Sequence, residues 1–457
     1  MIFSDTIVAP ATAAGIGALA VIRVSGTDAL TITSAVFKGK DLTVAPSHTV
    51  HYGFITTQDK TELIDEVMVA VFKAPKSFTS ENTTEISCHG SPLVVNKIVE
   101  ALIAAGARLA KPGEFSLRAF INGRINLAQA EAVADIIASE NDMQHKVALQ
   151  QMRGGFANEL QILRQQLIDY TALIELELDF GEEDVEFAKR EQLIAFIDNF
   201  SAHITELIHS FKAGNAIKEG IPIAIIGKPN AGKSTLLNAL LNEERAIVSD
   251  IAGTTRDTIE DVMHYKGISF RFIDTAGIRQ TSDTIESIGV EKALQKARNA
   301  SIVIYLFEIA TTTAAELLQQ IEALEISNAT IIPVANKIDK VNWKATAPFT
   351  YIPNIKFIAA ATKFNIEDLK ESLHQQAFGN TPLASGSAVV TNIRHYEALI
   401  KANRALQKAQ DGLMNKLSGE LVAFDLREAL EHLGSITGEV SNEDVLSSIF
   451  SRFCIGK

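Results

Sequence analysis

The sequence predicts a multidomain protein of mixed α/β and α+β class, because three kinds of pattern occupy different parts of its 457 residues. Short strand-like runs precede residue 119, long helical patterns lie on both sides of the centre, and strands alternate with helices across the centre. The simplest arrangement inserts a doubly wound α/β domain into a helical domain built from two chain segments. The expected domains are residues 1–119 (α+β), 120–219 and 380–457 (helical), and 220–379 (inserted α/β).

Each predicted domain is inferred from its own periodicity of apolar residues. In the first domain, Ala18 to Val24 and Glu66 to Phe72 are expected to be strands separated by turns. Apolar residues spaced by three and four predict long helices in the flanking segments. These helices are expected at Asn126–Glu140, Gln144–Leu178, Arg190–Lys212, Asn392–Leu413 and Glu420–Leu433.

Composition narrows the protein class. Hydrophobic residues make up 47% and charged residues 21% of the chain, which is enough to build packed cores. The net charge of -13 argues against a surface wholly adapted to nucleic acid. We found no apolar run near the roughly twenty residues of a membrane span, and the two cysteines, Cys88 and Cys454, are too few for a disulfide framework. A cytoplasmic protein without a membrane partner is expected.

The run from Gly227 to Ser234 matches the phosphate-binding pattern G-x-x-x-x-G-K-[ST]. It lies between an apolar strand, Ile223 to Ile226, and a helical segment, Thr235 to Leu241, which is the context that the pattern requires. In such loops backbone N–H groups hold phosphate oxygens, Lys233 neutralises the β- and γ-phosphates, and Ser234 ligates Mg²⁺. A nucleoside triphosphate and Mg²⁺ are therefore expected at Asn230, Ala231, Gly232, Lys233, Ser234 and Thr235.

A second phosphate element follows the alternating strand Ile268 to Ile273. The residues are Asp274, Thr275, Ala276 and Gly277. The carboxylate at the strand end can hold Mg²⁺ through water, and the glycine N–H can meet the γ-phosphate.

A third motif selects the base. Asn336-Lys337-Ile338-Asp339 follows the apolar strand Thr330 to Val334. The Asp339 carboxylate can accept two hydrogen bonds from the N1–H and 2-amino groups of guanine, which adenine does not offer. A buried carboxylate without donors costs several kcal/mol, so GTP is expected in preference to ATP.

The loop before the second element contains two adjacent threonines, Thr254 and Thr255. A threonine hydroxyl there can complete the Mg²⁺ shell and close over the γ-phosphate, although position alone does not choose between the two and a surface turn is the alternative. The nucleotide contacts expected in this loop are Ile251, Ala252, Gly253, Thr254 and Thr255, and the family resemblance described below adds Ser249 and Asp250.

The water that attacks the γ-phosphate requires a further group to orient it. Ile278 stands where GTPases of the Ras type carry the glutamine that orients the attacking water. Glu286 is the nearest candidate replacement, with a solvated loop charge as the alternative. The side-chain oxygen of Asn230 can ligate a monovalent cation beside the phosphates in place of an arginine finger; alternatively, Asn230 serves only the backbone of the loop.

With these motifs in place, the chain resembles the MnmE (TrmE) family of tRNA-modification GTPases over essentially its full length. The matching motifs are Asp5–Ala9 with Arg23–Gly26, Lys111–Phe115, Leu127–Ala132, Gly253–Asp257 and Phe453–Lys457.

The resemblance implies joint action with the flavoprotein MnmG to place an aminomethyl or carboxymethylaminomethyl group on C5 of the wobble uridine of tRNA. It implies a homodimer formed by the N-terminal domains, which bind a tetrahydrofolate derivative (5-formyl or 5,10-methylene) as the one-carbon source. The implied folate contacts are Arg23, Glu81, Arg124 and Lys457. At Arg124 the family often has lysine, which keeps the charge but changes the geometry.

The resemblance also implies roles for individual residues of the nucleotide site. K⁺ is implied at Asn230, Ser249, Ile251 and Thr254, Mg²⁺ at Ser234 and Thr255, and the water-orienting carboxylate at Glu286. Two such domains meet in the transition state, so K⁺ and self-association stimulate hydrolysis. The chain departs from the family's Ser-Ala-Lys at the base, where it has Ala359-Ala360-Ala361. A regulatory GTP-binding factor for RNA or ribosome assembly, without one-carbon chemistry, is the alternative function.

Three other groups have competing interpretations. Cys454 is either a reactive thiol near folate and the uridine or a small packed residue on a terminal helix, and a prenylation box fits poorly. His89 beside Cys88 is expected to be structural because a second ligand pair at suitable spacing was not found. The carboxylates Glu182, Glu183, Asp184 and Glu186 are expected to form a solvated helix end, with cation binding as the alternative.

Overall fold

A computed structural model describes most of the chain, and it divides into two compact units. The described residues are 4–179, 190–241, 261–273, 298, 300–326, 329–378, 389–441 and 443–457. The first unit comprises Met1–Ile137, Leu149–Phe200 and Lys401–Lys457; the second comprises Ala138–Ala148 and Ser201–Ile400.

A mixed sheet forms the N-terminal part of the first unit. Its strands are β1 (Ile7–Pro10), β2 (Leu19–Ser25), β3 (Phe37–Lys38), β4 (Thr49–Thr56), β5 (Leu63–Phe72), β6 (Thr83–His89) and β7 (Arg108–Leu109). Their order is β3-β4-β5-β6-β2-β1-β7, and adjacent strands are antiparallel except β1 and β7. The alternation in β5 buries Val67, Val69 and Val71 on one face and leaves Met68 exposed on the other.

Helices α1 (Ala29–Val36) and α2 (Pro92–Ala104) supply the other half of the core beneath this sheet. Ile32, Ile98 and Leu102 are buried in one apolar cluster with the inward residues of the strands. One face of the sheet is therefore covered by helices, as expected for an α+β domain.

The long helices agree with the predicted pattern, with one break. They are α3 (Glu114–Ile121), α4 (Leu127–Ala138), α5 (Asp142–Met152), α6 (Gly155–Asp179), α7 (Arg190–Glu219), and, after the second sheet, Ile393–Met414, Gly419–Thr437 and Glu443–Phe450. The single helix expected over Gln144–Leu178 is two helices, because Gly154 adopts a left-handed φ of 86° that ends α5.

The second unit contains a six-stranded sheet in the described residues. Its strands are β8 (Ile221–Ile226), β9 (Asp261–Tyr265), β10 (Ile268–Phe272), β11 (Ile302–Glu308), β12 (Thr330–Asn336) and β13 (Lys356–Phe357). The order is β13-β12-β11-β8-β10-β9, and only β9 pairs antiparallel in this sheet.

Helices cover both faces of that sheet. The helices of this region are α8 (Lys233–Leu241), α9 (Ala314–Glu322) and α10 (Ile366–Phe378), with 3₁₀ turns at Ile338–Lys340 and Trp343–Phe349. Alternate residues of β8 enter different clusters: Ile223 and Ile225 pack with α8 and α10, whereas Ala224 and Ile226 pack with α9. The predicted doubly wound α/β fold is thus confirmed.

The later helices continue this numbering: α11 is Ile393–Met414, α12 is Gly419–Thr437 and α13 is Glu443–Phe450. Among the described residues, every helix is too short or too polar to cross a bilayer.

Candidate functional site

The predicted phosphate loop joins β8 to α8, and its glycines are required by close backbone contacts. Gly227 has a φ of 153°, and a Cβ there would lie 2.0 Å from the carbonyl oxygen of Leu306 on β11. Gly232 has a φ of 99°, and its Cβ would lie 2.4 Å from Nδ2 of Asn336. The loop therefore keeps its backbone close to two neighbouring strands, which a larger residue would prevent.

Lys233, the first residue of α8, has its ammonium against the same loop. Its Nζ donates hydrogen bonds to the carbonyl oxygens of Gly227 (2.8 Å) and Lys228 (3.0 Å), and burial lowers the pKa of the amine. Ser234 is half-buried and Thr235 is exposed in the first turn of the helix. A cationic group, a hydroxyl and helix N-terminal N–H groups thus lie together, which suits an anionic phosphate chain with a hard cation.

Asn230 and Ala231 form the crest of the loop. Asn230 has an exposed side chain and a left-handed φ of 61°, so its amide is held at the surface of the loop. Asparagine tolerates this conformation better than most residues, which is the backbone explanation of its presence. An exposed amide oxygen also suits a weakly bound monovalent cation, and the two explanations are compatible.

Asn336 links the phosphate loop to the predicted base-binding loop. Its buried amide Nδ2 donates to the carbonyl oxygen of Ala231 (2.8 Å), and its Oδ1 accepts from the backbone N–H groups of Lys337 (2.8 Å) and Ala360 (3.0 Å). One side chain therefore fixes three loops at the carboxyl end of the sheet, where open α/β sheets bind ligands.

The remaining base-loop residues follow directly. Lys337 adopts a left-handed φ of 63°, and Asp339 is exposed in the 3₁₀ turn that follows. The three alanines that replace the family's Ser-Ala-Lys begin at Ala359, whose N–H and carbonyl both pair with Phe364. The backbone N–H of Ala360 is fixed by Asn336, so this loop keeps its position without a serine or lysine side chain.

The other predicted nucleotide and metal residues lie outside the described residues. They are Ser249, Asp250, Ile251, Ala252, Gly253, Thr254, Thr255, Asp274, Thr275, Ala276, Gly277 and Glu286. The segment that carries the second phosphate element begins after Ile273, whose N–H donates to the carbonyl of Ile223 (2.9 Å). Ile273, the last described residue before that element, therefore lies beside β8, the strand that leads into the glycine loop.

A second cluster of predicted residues lies on the N-terminal sheet around Arg23. Its guanidinium bonds to Glu85 Oε1 through Nε (2.9 Å) and Nη2 (2.8 Å), and Nη1 donates to the carbonyl of Gly456 (3.4 Å). The same group lies 5.1 Å from the centre of the Phe78 ring, and Arg124 approaches that ring at 5.8 Å. The structure thus brings Arg23 and Arg124 to one aromatic side chain.

Glu81 is held by Ser25, which belongs to the Arg23–Gly26 motif, and by Arg118, which the sequence did not single out. Ser25 Oγ donates to Glu81 Oε2 (2.8 Å), and Arg118 Nη1 lies 3.3 Å from both of its carboxylate oxygens. Arg118 is fully buried and also bonds to Asp5 (2.6 Å) and Glu114 (3.2 Å). Its spacing of four residues from Glu114 within a helix was the one available signal.

The last residues of the sequence pack against this cluster. The N–H groups of Gly113 and Phe115 donate to the carbonyls of Cys454 (3.5 Å) and Lys457 (3.2 Å). Gly456 has a φ of 97°, and a Cβ there would lie 2.1 Å from the carbonyl oxygen of Pro10. Burial, and next the nearby Arg23 charge, lower the pKa of Lys457, which brings this predicted residue to the same cluster.

The two cysteines differ in their surroundings. Cys454 is exposed and follows the end of α13 at Phe450, so the interpretation as a packed residue on a terminal helix is wrong. Cys88 is buried, and burial raises the pKa of its thiol to about 11. Neighbouring His89 bonds through Nδ1 to Asp65 (2.7 Å), which raises the pKa of the imidazole. Within the described residues, no group of three or more histidine, cysteine, aspartate or glutamate side chains is placed to hold a metal ion.

Comparison with known proteins matches both parts of the chain to family models. The MnmE helical domain matches residues 127–454, and the GTP-binding protein TrmE N-terminus matches residues 6–124. The "tRNA modification GTPase MnmE" of Cytophaga hutchinsonii is 52% identical over 99% of this chain and 98% of that protein. The proteins of that name from Flavobacterium psychrophilum and Bacteroides fragilis are 50% and 47% identical over 100% and 99% of this chain, and over 100% and 99% of their own lengths.

These relatives span the whole chain, including the glycine loop and the N-terminal sheet. Their shared name agrees with the doubly wound domain and its phosphate loop, and it indicates a GTP hydrolase that acts in tRNA modification. The chain therefore belongs to the MnmE family of tRNA modification GTPases.

Proposed function

We propose that this chain is a K⁺-stimulated, dimerisation-activated GTPase which, with MnmG, installs aminomethyl or carboxymethylaminomethyl groups at C5 of the wobble uridine of tRNA, using a tetrahydrofolate one-carbon unit. The observation that carries the proposal is the cluster of Arg23, Arg124, Phe78 and Lys457 on the N-terminal sheet. A GTP-binding assembly factor would need the glycine loop but would not itself require this second cluster of cationic and aromatic side chains.

At the nucleotide site, we assign Lys233 to charge neutralisation at the β- and γ-phosphates, and Ser234 with Thr255 to Mg²⁺. The half-buried hydroxyl of Ser234 at the helix start suits a hard cation that prefers oxygen ligands. Mg²⁺ would neutralise charge on the phosphates, while the loop backbone orients them. Asp339 selects guanine by accepting two hydrogen bonds.

K⁺ is assigned to Asn230, with Ser249, Ile251 and Thr254, and Glu286 to the attacking water. Support comes from the exposed amide of Asn230 at the crest of the loop and from Ile278 in place of a glutamine. Exchange of K⁺ for Na⁺ at constant ionic strength should slow GTP turnover far more than it changes GTP affinity. Equal turnover in the two salts would count against this role, and Asn230→Ala should remove the difference.

The pocket on the N-terminal sheet suits a folate. A pterin ring can stack on Phe78 and hydrogen-bond to a carboxylate such as Glu81, while Arg23, Arg124 and Lys457 suit the anionic glutamate tail. Glu81 is ready to accept hydrogen bonds because Ser25 and Arg118 fix both of its oxygens. Exposed Cys454 lies on the segment that contacts this pocket, which leaves its thiol open to a uridine substrate.

The open face of the same sheet supports a homodimer. Val50, Tyr52 and Met68 are apolar and 58%, 58% and 45% exposed. Register pairs run from Val50 through Ala70 and Glu85 to Arg23, so the apolar surface and the proposed folate pocket share one face of the sheet. A second copy covering this apolar surface would also close the pocket.

The decisive experiment is nucleoside analysis of tRNA from cells that lack this protein. Loss of C5 substituents at the wobble uridine is expected, and restoration by the wild-type gene is the control. Unchanged nucleosides, together with RNA or ribosome binding and no affinity of the full chain for 5-formyltetrahydrofolate, would favour the assembly factor. We expect the protein to act in the cytoplasm, where tRNA and MnmG meet it.

A further inference from the structure

Lys337, in the base-binding loop, is held at both ends. Its backbone N–H donates to Asn336 Oδ1 (2.8 Å), and its ammonium lies 2.6 Å from Glu308 Oε2. Both side chains of the ion pair are 25% exposed, so solvent screens the pair less than it screens a fully exposed one. A lysine with both ends fixed keeps its four-carbon stem in one place.

Glu308 is itself fixed by the sheet. It is the last residue of β11 and pairs in register with Asn336, the last residue of β12. The next residue, Ile309, donates its N–H to the carbonyl of Asn336 (3.3 Å). The carboxylate therefore projects from a rigid strand end beside the loop, and it can orient Lys337 without moving.

We propose that Glu308 is a positioning residue for guanine recognition. It holds the Lys337 stem as a preformed wall of the base pocket, so that the loop does not have to be ordered when a nucleotide binds. This inference rests on the proposed guanine-binding role of Asn336, Lys337 and Asp339. Because Glu308 acts through the base loop, it should affect nucleotide affinity and release, and not the hydrolytic step.

The test is Glu308→Gln in the full chain, which keeps the shape of the side chain and removes its charge. The loss of one charge-assisted hydrogen bond should weaken GDP affinity and speed GDP release by about five- to tenfold. The hydrolysis rate at saturating GTP should stay within about twofold of the wild-type value. Glu322→Gln is the matched control, because it removes an exposed charge from the nearby helix α9.

A double-mutant cycle identifies the residue through which Glu308 acts. In a Lys337→Met background, Glu308→Gln should cause little further change in GDP release. If both variants release GDP at the wild-type rate, or if the two effects simply add, the positioning role is wrong. If the glutamine variant does not fold, Glu308→Asp takes its place: it keeps the charge but is one methylene shorter, so it should weaken the contact with Lys337 and also speed GDP release.

A separate variant tests the underlying assignment. Asp339→Asn should shift base preference from guanine towards xanthine, because the amide can donate to the oxygen at position 2. If Asp339→Asn leaves guanine preference unchanged, the proposed base loop is wrong. If it shifts preference while Glu308→Gln releases GDP normally, only the positioning role fails.

Discussion

The two candidate ligand sites are built in opposite ways. The phosphate-binding part of the nucleotide site is a contiguous loop in which Lys233 bonds to backbone carbonyls within its own motif. The cluster around Arg23 on the N-terminal sheet joins residues that are far apart in sequence, such as Arg23 and Gly456, which are separated by 433 positions. Its charges also neutralise one another, as in the contacts of Arg118 with Asp5 and Glu114. A local site can lose a side chain and remain folded, whereas a distributed site has its stability and its ligand binding linked.

Lys233→Ala should produce the largest effect of the substitutions considered. If that effect is not observed, the contrast between the two sites is wrong. Loss of the ammonium removes charge stabilisation at the phosphates, so GTP hydrolysis should fall by about a hundredfold or more. Binding of 5-formyltetrahydrofolate by the same variant should be unchanged. Steady-state hydrolysis and equilibrium dialysis measure the two quantities, and a parallel loss of both would show that the sites are not independent. Lys228→Ala is the control, since its exposed side chain belongs to the same loop.

Arg118→Met should have the next largest effect, on the other site. The substitution leaves Glu114 buried without one of its cationic partners, which typically costs about 3–5 kcal/mol of the free energy of unfolding. Chemical denaturation should show a less stable first unit with weaker folate binding, while GTP affinity stays at its wild-type value. Arg153→Met, a change of the same chemistry at an exposed position, should be neutral. Wild-type stability in Arg118→Met would contradict the linked design of the pocket.

Gly456→Ala should have a smaller effect on folate. A Cβ would lie 2.1 Å from the Pro10 carbonyl, so the tail must shift away from Arg23 and affinity should fall by about tenfold. Gly15→Ala is the control, because Gly15 also has a positive φ, 137°, but open space around it. Calorimetric titration with 5-formyltetrahydrofolate measures the affinity of each variant. Similar affinities for both would show that the segment around Gly456 does not contribute to folate binding.

The smallest expected effect is a dependence of the free energy of unfolding of the first unit on pH. Burial alone would raise the pKa of Glu114, but hydrogen bonds from Arg108 and from the Lys111 N–H outweigh it and hold the pKa below the ordinary 4.5. A lowered pKa contributes stability that is complete above the ordinary value and is lost as pH falls through the lowered one. The contribution of Glu114 to the free energy of unfolding should therefore be constant above about pH 5 and should be lost progressively below about pH 4.5. Glu114→Gln should flatten this profile, and an unchanged profile would contradict the assignment.

The same contrast explains what could be predicted from the sequence. Gly227 to Ser234 and Asn336 to Asp339 are contiguous motifs whose residues meet because the parallel strands β8 and β12, with β11 between them, end at one edge of the sheet. Sequence order was therefore sufficient to predict them. The sheet and helix types followed from periodicity, but the break at Gly154 did not, since a glycine within an apolar helical pattern is often tolerated.

The roles of Arg118 and Glu308 could not be predicted from the sequence, and the physical reason is the same for both. Each matters through a partner that only the tertiary fold brings near: Glu81 for Arg118, and Lys337 for Glu308. The periodicity of a helix or strand reports which face is buried, but it does not report which charge will lie opposite. Arg23, Arg124 and Lys457 were found through the family resemblance, and no local pattern would have joined them.

The contact between Arg23 and Gly456 can form only late in the synthesis of the chain. At about 5–20 residues per second, a ribosome needs roughly 20–90 s to add the 433 positions that separate these two residues. The residues of the N-terminal sheet are therefore translated well before Gly456, with most of the second unit translated between them. The contact of Arg23 with Gly456, and with it the proposed folate site, can form only after residue 456 has been translated.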